Sequence, residues 1–141
     1  MSYTNSPVLF GRDSRRTRQT LAIAGLVFLV SLVLYTSFPV YDGVPYTYLL
    51  ILPSIPLIAA AMTVASAYRN EGLIVSALIP VMAVFGLELS LGIWLYFNLV
   101  PSYDPSGFGF VPLYPIVAFV IGLVLAGGGA AVRRLRRTIR S

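Results

Sequence analysis

From Thr20 to Val132 the chain carries formal charge only at Asp42, Arg69, Glu71, Glu88 and Asp104, and long, almost wholly apolar stretches separate those positions. A helix that crosses hydrocarbon needs about 20 consecutive apolar residues, and four such stretches can be drawn, over about 20–38, 48–68, 73–97 and 113–132. The expected fold is therefore an all-α membrane protein with four transmembrane helices arranged as two antiparallel hairpins. A basic N-terminal tail (1–19) precedes the spans (20–132) and an Arg-rich tail (133–141) follows them. Composition agrees, with 57% hydrophobic and 11% charged residues, where soluble domains are about a quarter charged. A length of 141 residues leaves nothing over for a soluble catalytic domain.

The connections are short. Pro39, Gly43 and Pro45 break the helix after the first span, Arg69 to Gly72 can join two helices and little else, and 98–115 forms the longest loop. Pro53, Pro56 and Pro80 fall inside spans, where kinks are expected and neighbours must satisfy the freed carbonyls. A third span of about 25 residues rises about 37 Å, more than a hydrocarbon core of about 30 Å, so it must tilt, kink or protrude.

Arginine marks the orientation. Arg12, Arg15, Arg16 and Arg18 precede the first span, Arg69 follows the second, and Arg133, Arg134, Arg136, Arg137 and Arg140 follow the fourth, while the other two loops have none. Cytoplasmic segments collect such residues, so both termini are expected to be cytoplasmic, or internal to an enveloped particle, with Asp42 and Asp104 on the opposite side. A secretory signal fits the first stretch poorly, because the stretch is longer than the usual apolar region and no small-residue cleavage site follows it. Thr17, Arg18 and Gln19 stand where a twin-arginine export signal would carry apolar residues.

The sequence has no Cys and no His, which removes disulfides, thiolate ligands, cysteine nucleophiles and the commonest general base and metal ligand. Gly127 to Gly129 lacks the Lys and hydroxyl of a phosphate-binding loop and interrupts an apolar span. No cofactor, no metal and no enzymatic activity are expected.

Four patterns carry whatever function there is. Pro39, Tyr41 and Asp42 recur as Pro101, Tyr103 and Asp104, as duplicated hairpins would have them, although interfacial turns are made of such residues in any case. Glu88 is the one acid well inside a span, either a proton or cation relay or a polar tether, with Ser31, Ser54, Ser90 and Tyr35 as hydroxyl partners. Gly122, Ala126 and Ala130 at i, i+4 and i+8 form a groove for another helix, and Ala61 with Ala65, or Gly86 with Ser90, offer matching surfaces. The tail at 133–141 would lay its Arg on anionic head groups, with an acidic partner subunit or nucleic acid as sharper alternatives. The expectation is a non-enzymatic structural protein or accessory subunit, joined to a larger partner or to copies of itself. The alternative is a small oligomeric channel, transporter or holin-like protein that uses Glu88.

Overall fold

The computed structural model describes residues 7–37, 45–70, 72–97 and 112–141, and over these the secondary structure is helical, with no strand. The helices are α1 (Pro7–Phe10), α2 (Ser14–Ser37), α3 (Pro45–Asn70), α4 (Leu73–Tyr96) and α5 (Leu113–Arg140). The recurring Pro, Tyr and Asp segments at 39–42 and 101–104 lie outside the described residues.

Three helical stretches among the described residues, Val8–Ser37, Leu73–Trp94 and Leu113–Arg140, are long and apolar enough to cross a membrane. This points to a membrane as the surrounding medium. These are three of the four expected spans; α3 holds Pro53 and Pro56. The prolines at 53, 56 and 80 sit within continuous helices. Two helices outrun the apolar stretches that mark them: α2 begins at Ser14, among the N-terminal Arg, and α5 continues through the Arg-rich tail to Arg140. Arg is a good helix former, so charge ends the apolar stretch without ending the helix.

α4 is the central element. Half (50%) of its apolar window is buried by neighbours, against 28% and 33% for the other two candidate spans. α2 packs chiefly on α4, α3 chiefly on α5, and α4 also touches both α3 and α5, whereas α2 and α3 scarcely meet. Contacts between α2 and α4 climb in step, so the two run in the same direction. Ser31 Oγ donates to Ala83 O at 2.7 Å, Thr36 Oγ1 to Ser90 Oγ at 3.2 Å, and Trp94 Nε1 to Thr36 O at 3.3 Å.

The interior is built from small side chains. Ala24, Ala59 and Ala83 join Val27, Tyr35, Ile55 and Ile79 in the core, while Leu26, Leu29, Val33, Leu57, Ile116, Val120 and Val124 face outward. Apolar surface outside and small residues inside is the arrangement expected of helices in lipid, where burying a large side chain between helices brings little gain over leaving it among acyl chains. Glycine sets the closest approaches. A Cβ at Gly86 would stand 2.7 Å from Ser31 Cβ and 2.8 Å from Phe28 O, and one at Gly122 would stand 2.9 Å from Ala77 O.

Gly86 and Gly92 separate packing from helix propensity, because a Cβ at Gly92 on the same helix meets nothing within 4 Å. Gly86→Ala is expected to lower stability by about 1–3 kcal/mol through overpacking against α2. Gly92→Ala should be neutral or stabilising by up to about 1 kcal/mol. Unfolding of both variants in detergent, followed by circular dichroism, checks the contrast.

Candidate functional site

The described residues gather most of their polar contacts at one end of the molecule, where the start of α2, the end of α3, the start of α4 and the last turns of α5 meet. Asp13 opens α2. Its Oδ1 accepts the Arg15 N–H at 2.9 Å and its carbonyl accepts the Thr17 N–H at 2.9 Å, which makes it the N-cap of the helix. Its Oδ2 also lies 3.6 Å from Arg16 Nε, an exposed pair of small energetic weight.

The last carbonyls of a helix have no partner within it and carry the negative end of its dipole. At α3 they are met by cationic and backbone donors from elsewhere in the chain. Arg69 O accepts from Arg16 Nη1 at 2.8 Å and from Arg133 Nη1 at 2.6 Å, so guanidinium groups from α2 and α5 converge on one oxygen. Asn70 O accepts the Arg12 N–H at 3.2 Å. Close by, Arg136 Nη1 donates to Tyr68 Oη at 2.9 Å.

Asn70 is almost wholly buried, at 3% exposure, and both ends of its amide are used. Oδ1 accepts the Asp13 N–H at 3.2 Å and Nδ2 donates to Thr17 Oγ1 at 3.0 Å, while Thr17 Oγ1 in turn donates to Phe10 O at 2.7 Å. The chain reaches this position through Gly11, whose φ of +99° suits glycine and at which a Cβ would run into the Asn70 amide. Gly72 faces the same segment, since a Cβ there would stand 2.9 Å from Gly11 N and Phe10 O. The N-terminal segment is thus clasped against the connection between α3 and α4.

One layer deeper, three hydroxyls tie α2, α3 and α4 together. Thr20 Oγ1 and Ser66 Oγ are 2.8 Å apart, and Ser76 Oγ donates to Ser66 Oγ at 3.2 Å. All three residues are buried.

The Arg-rich tail continues α5 as helix. Arg133 is half-buried, and Arg134, Arg136, Arg137 and Arg140 lie on the surface. The exposed Val124, Val132, Leu135 and Ile139 form one outer stripe by helical spacing, opposite the Arg133 side.

Glu88 lies elsewhere. It follows Ala77, Val81 and Val84 at helical spacing, on the side of α4 where Gly122 of α5 approaches Ala77. Both carboxylate oxygens are shielded from solvent. Ser31 and Ser90, expected as its partners, sit on the opposite side of α4, engaged with Ala83 O and with the Thr36 hydroxyl. Ser54 is half-buried on α3. A central cavity of about 180 Å³, lined by residues such as Tyr35, Pro56, Pro80, Leu87 and Ala118, is mostly apolar, and Glu88 is not on its wall.

The small residues of α5 face its neighbours within the chain. Gly122, Ala126, Gly129 and Ala130 are buried, and a Cβ at Gly129 would stand 2.5 Å from Val64 O and 3.3 Å from Ala67 Cβ. Ala61 and Ala65 are themselves exposed, on the edge of a groove shared with Gly129 and Val132. Among the described residues no group of three or more His, Cys, Asp or Glu is gathered as a metal would require.

Sequence reasoning did not single out Asn70, Thr17, Gly11 or the Thr20, Ser66 and Ser76 hydroxyls. Only Asp13 carried a local signal, as an acid directly before a run of helix formers. No protein-family model matches the chain, and neither the curated proteins nor the solved structures include a match.

Removing the Asn70 amide leaves the Asp13 N–H and the Thr17 hydroxyl without their acceptor and donor. Asn70→Ala is expected to lower stability by about 1–3 kcal/mol and to speed hydrogen exchange at the Asp13 amide. An exchange rate at Asp13 equal to that of the parent chain would show that the clasp does not depend on Asn70.

Proposed function

We propose that this chain is a polytopic integral membrane protein with four spans, α2 to α5, paired as two antiparallel hairpins and with both termini cytoplasmic. Its role is non-enzymatic: a structural protein or an accessory subunit that works through helix packing and its basic end. The observation that carries the reading is the convergence of Arg16, Arg69, Arg133 and Arg136, from three separate stretches of sequence, on one end of the molecule. Positive residues from distant segments gathered on one side are what positive-inside topology requires. The surface Arg134, Arg137 and Arg140 extend that end towards anionic head groups or an acidic partner. Contact with nucleic acid through the same tail is the lesser reading, because topology alone accounts for the charge.

Orientation is open to direct measurement. A reporter fused after Ser141 is expected to be active only on the cytoplasmic side, and a label at Tyr103 to react only from outside. The opposite pattern at either position would reverse the assignment.

A second reading rests on the shielded carboxylate of Glu88, since an acid inside a span is a functional candidate by default. Gentle extraction from the native membrane, with the mass of the assembly measured and every co-purifying chain identified, separates the two. A larger partner in fixed ratio is the expected result and supports an accessory subunit. A pure homo-oligomer would favour a channel or transporter, and Glu88→Gln should then abolish its flux while leaving the assembly intact.

A further inference from the structure

α2 commits its contacts to α4 and leaves a gap beside α3 at the basic end. The cleft measures about 220 Å³ and is graded along its length. Arg16, Gln19 and Arg69 stand at the mouth, all exposed, and Ile23, Met62 and Ala65 line the apolar part. The floor is held by the hydrogen-bonded Thr20 and Ser66 hydroxyls and by Asn70, whose polar atoms already have partners. From Gln19 the same side of α2 continues through Ile23 to Leu26 and Val30, and from Arg69 the same side of α3 continues back through Ala65 and Met62 to Ile58. Leu26, Val30 and Ile58 are exposed and apolar, so the cleft opens onto a long greasy track. Arg16 and Ile23 are separated by about 10 Å along the helix axis, so the charged mouth and the apolar lining lie at different depths.

We infer that the cleft between α2 and α3 binds one anionic phospholipid, with its phosphate at Arg16 and Arg69 and an acyl chain along Ile23, Met62 and Ala65. The inference rests on the membrane reading above and adds a defined site to it. Arg16 spends one N–H on Arg69 O and shares charge with Asp13, but a guanidinium has five donors in a planar fork suited to phosphate oxygens. No acceptor among the described residues holds the Arg69 guanidinium, and Gln19 makes no hydrogen bond there. Basic pockets between helices on the cytoplasmic side are where anionic head groups dock. The C-terminal tail has more charge and no such cavity; it attracts a surface, whereas the cleft fits a single molecule.

The test uses the full chain in mild detergent, offered equal amounts of phosphatidylglycerol and phosphatidylcholine, with bound lipids counted by native mass spectrometry. The parent chain should retain one phosphatidylglycerol with about tenfold preference. Gln19→Glu, which puts an acid beside the phosphate, and Met62→Trp, which fills the apolar part, should each remove that preference, while Arg18→Gln, at an exposed position on the far side of α2 from the cleft, should leave it within about twofold. Equal retention of both lipids by the parent chain would overturn the inference. So would a loss in Arg18→Gln as large as in Gln19→Glu, which would mark diffuse charge as the cause. Displacement of the lipid by inorganic phosphate would assign the site to a free anion instead. If Gln19→Glu fails to fold, Met62→Trp and the phosphate competition on the parent chain still decide. A chain that washes off native membranes in alkaline carbonate refutes the membrane reading itself, whereas one that stays embedded but shows no lipid preference refutes only the cleft.

Discussion

A helix that ends among other helices leaves its last carbonyls to find donors from outside, and at the end of α3 those donors come from two distant stretches of chain. Arg16 and Arg133 meet on Arg69 O, and the Arg12 amide meets Asn70 O. Each of these bonds fixes the height of one helix against another, so the end of α3 acts as the reference level for α2 and α5. Asn70 extends the same role to the segment before α2, because its amide reads the backbone of Asp13 and the hydroxyl of Thr17 together. In a chain with little hydrophobic force to press its helices together, such directional bonds carry more of the specificity than they would in a water-soluble core.

Farther from this end, backbone approach takes over. Gly86 brings α4 close enough to α2 for Ser31 to bond the Ala83 carbonyl, an oxygen that helical geometry would otherwise leave within its own helix. Gly122 and Gly129 do the same for α5, the first against α4 and the second against α3. α4 can serve several neighbours because it presents Ala83, Gly86 and Ser90 on one side and Ala77 and Pro80 on another. The gap between α2 and α3 follows from the same choice. A helix that spends its small side on α4 turns larger residues, Gln19 and Ile23 among them, towards α3 around the Thr20–Ser66 contact.

The existence of the long helices was legible in the sequence, since apolar stretches of that length leave few alternatives. Their ends were less so. Hydropathy stops at Arg18 and Arg133, but helix propensity does not, and the Asp13 cap at one end and the run of Arg at the other let α2 and α5 continue into charged sequence. The clasp at Asn70 left no local trace, because its partners lie 53 and 57 positions away. The small-residue pattern identified which side of α5 is narrow but not its counterpart. Val64 and Ala67 receive Gly129, while Ala61 and Ala65 turn outward. Glu88 was legible as an acid in an apolar stretch, whereas sequence alone does not show that Ser90 lies on the side of α4 facing α2 or that Ser31, on α2, is engaged there with Ala83 O.

The Arg residues of the basic end therefore divide into two groups that composition alone treats as one. Arg16, Arg133 and Arg136 reach back to Arg69 O and Tyr68 Oη, oxygens that belong to the fold, although Arg16 and Arg136 remain exposed. Arg134, Arg137 and Arg140 stay on the surface of a continuous helix whose outer stripe of Val132, Leu135 and Ile139 is still apolar. A helix of 28 residues rises about 42 Å, against about 30 Å of hydrocarbon in a bilayer. Its last turns would thus stand in the head-group layer as a rigid extension, apolar towards the lipid and cationic on the other side. Net charge, which the sequence gives as +5, is in this sense a poor measure of what the basic end offers to a membrane, because part of it is already engaged in holding α2, α3 and α5 at one level.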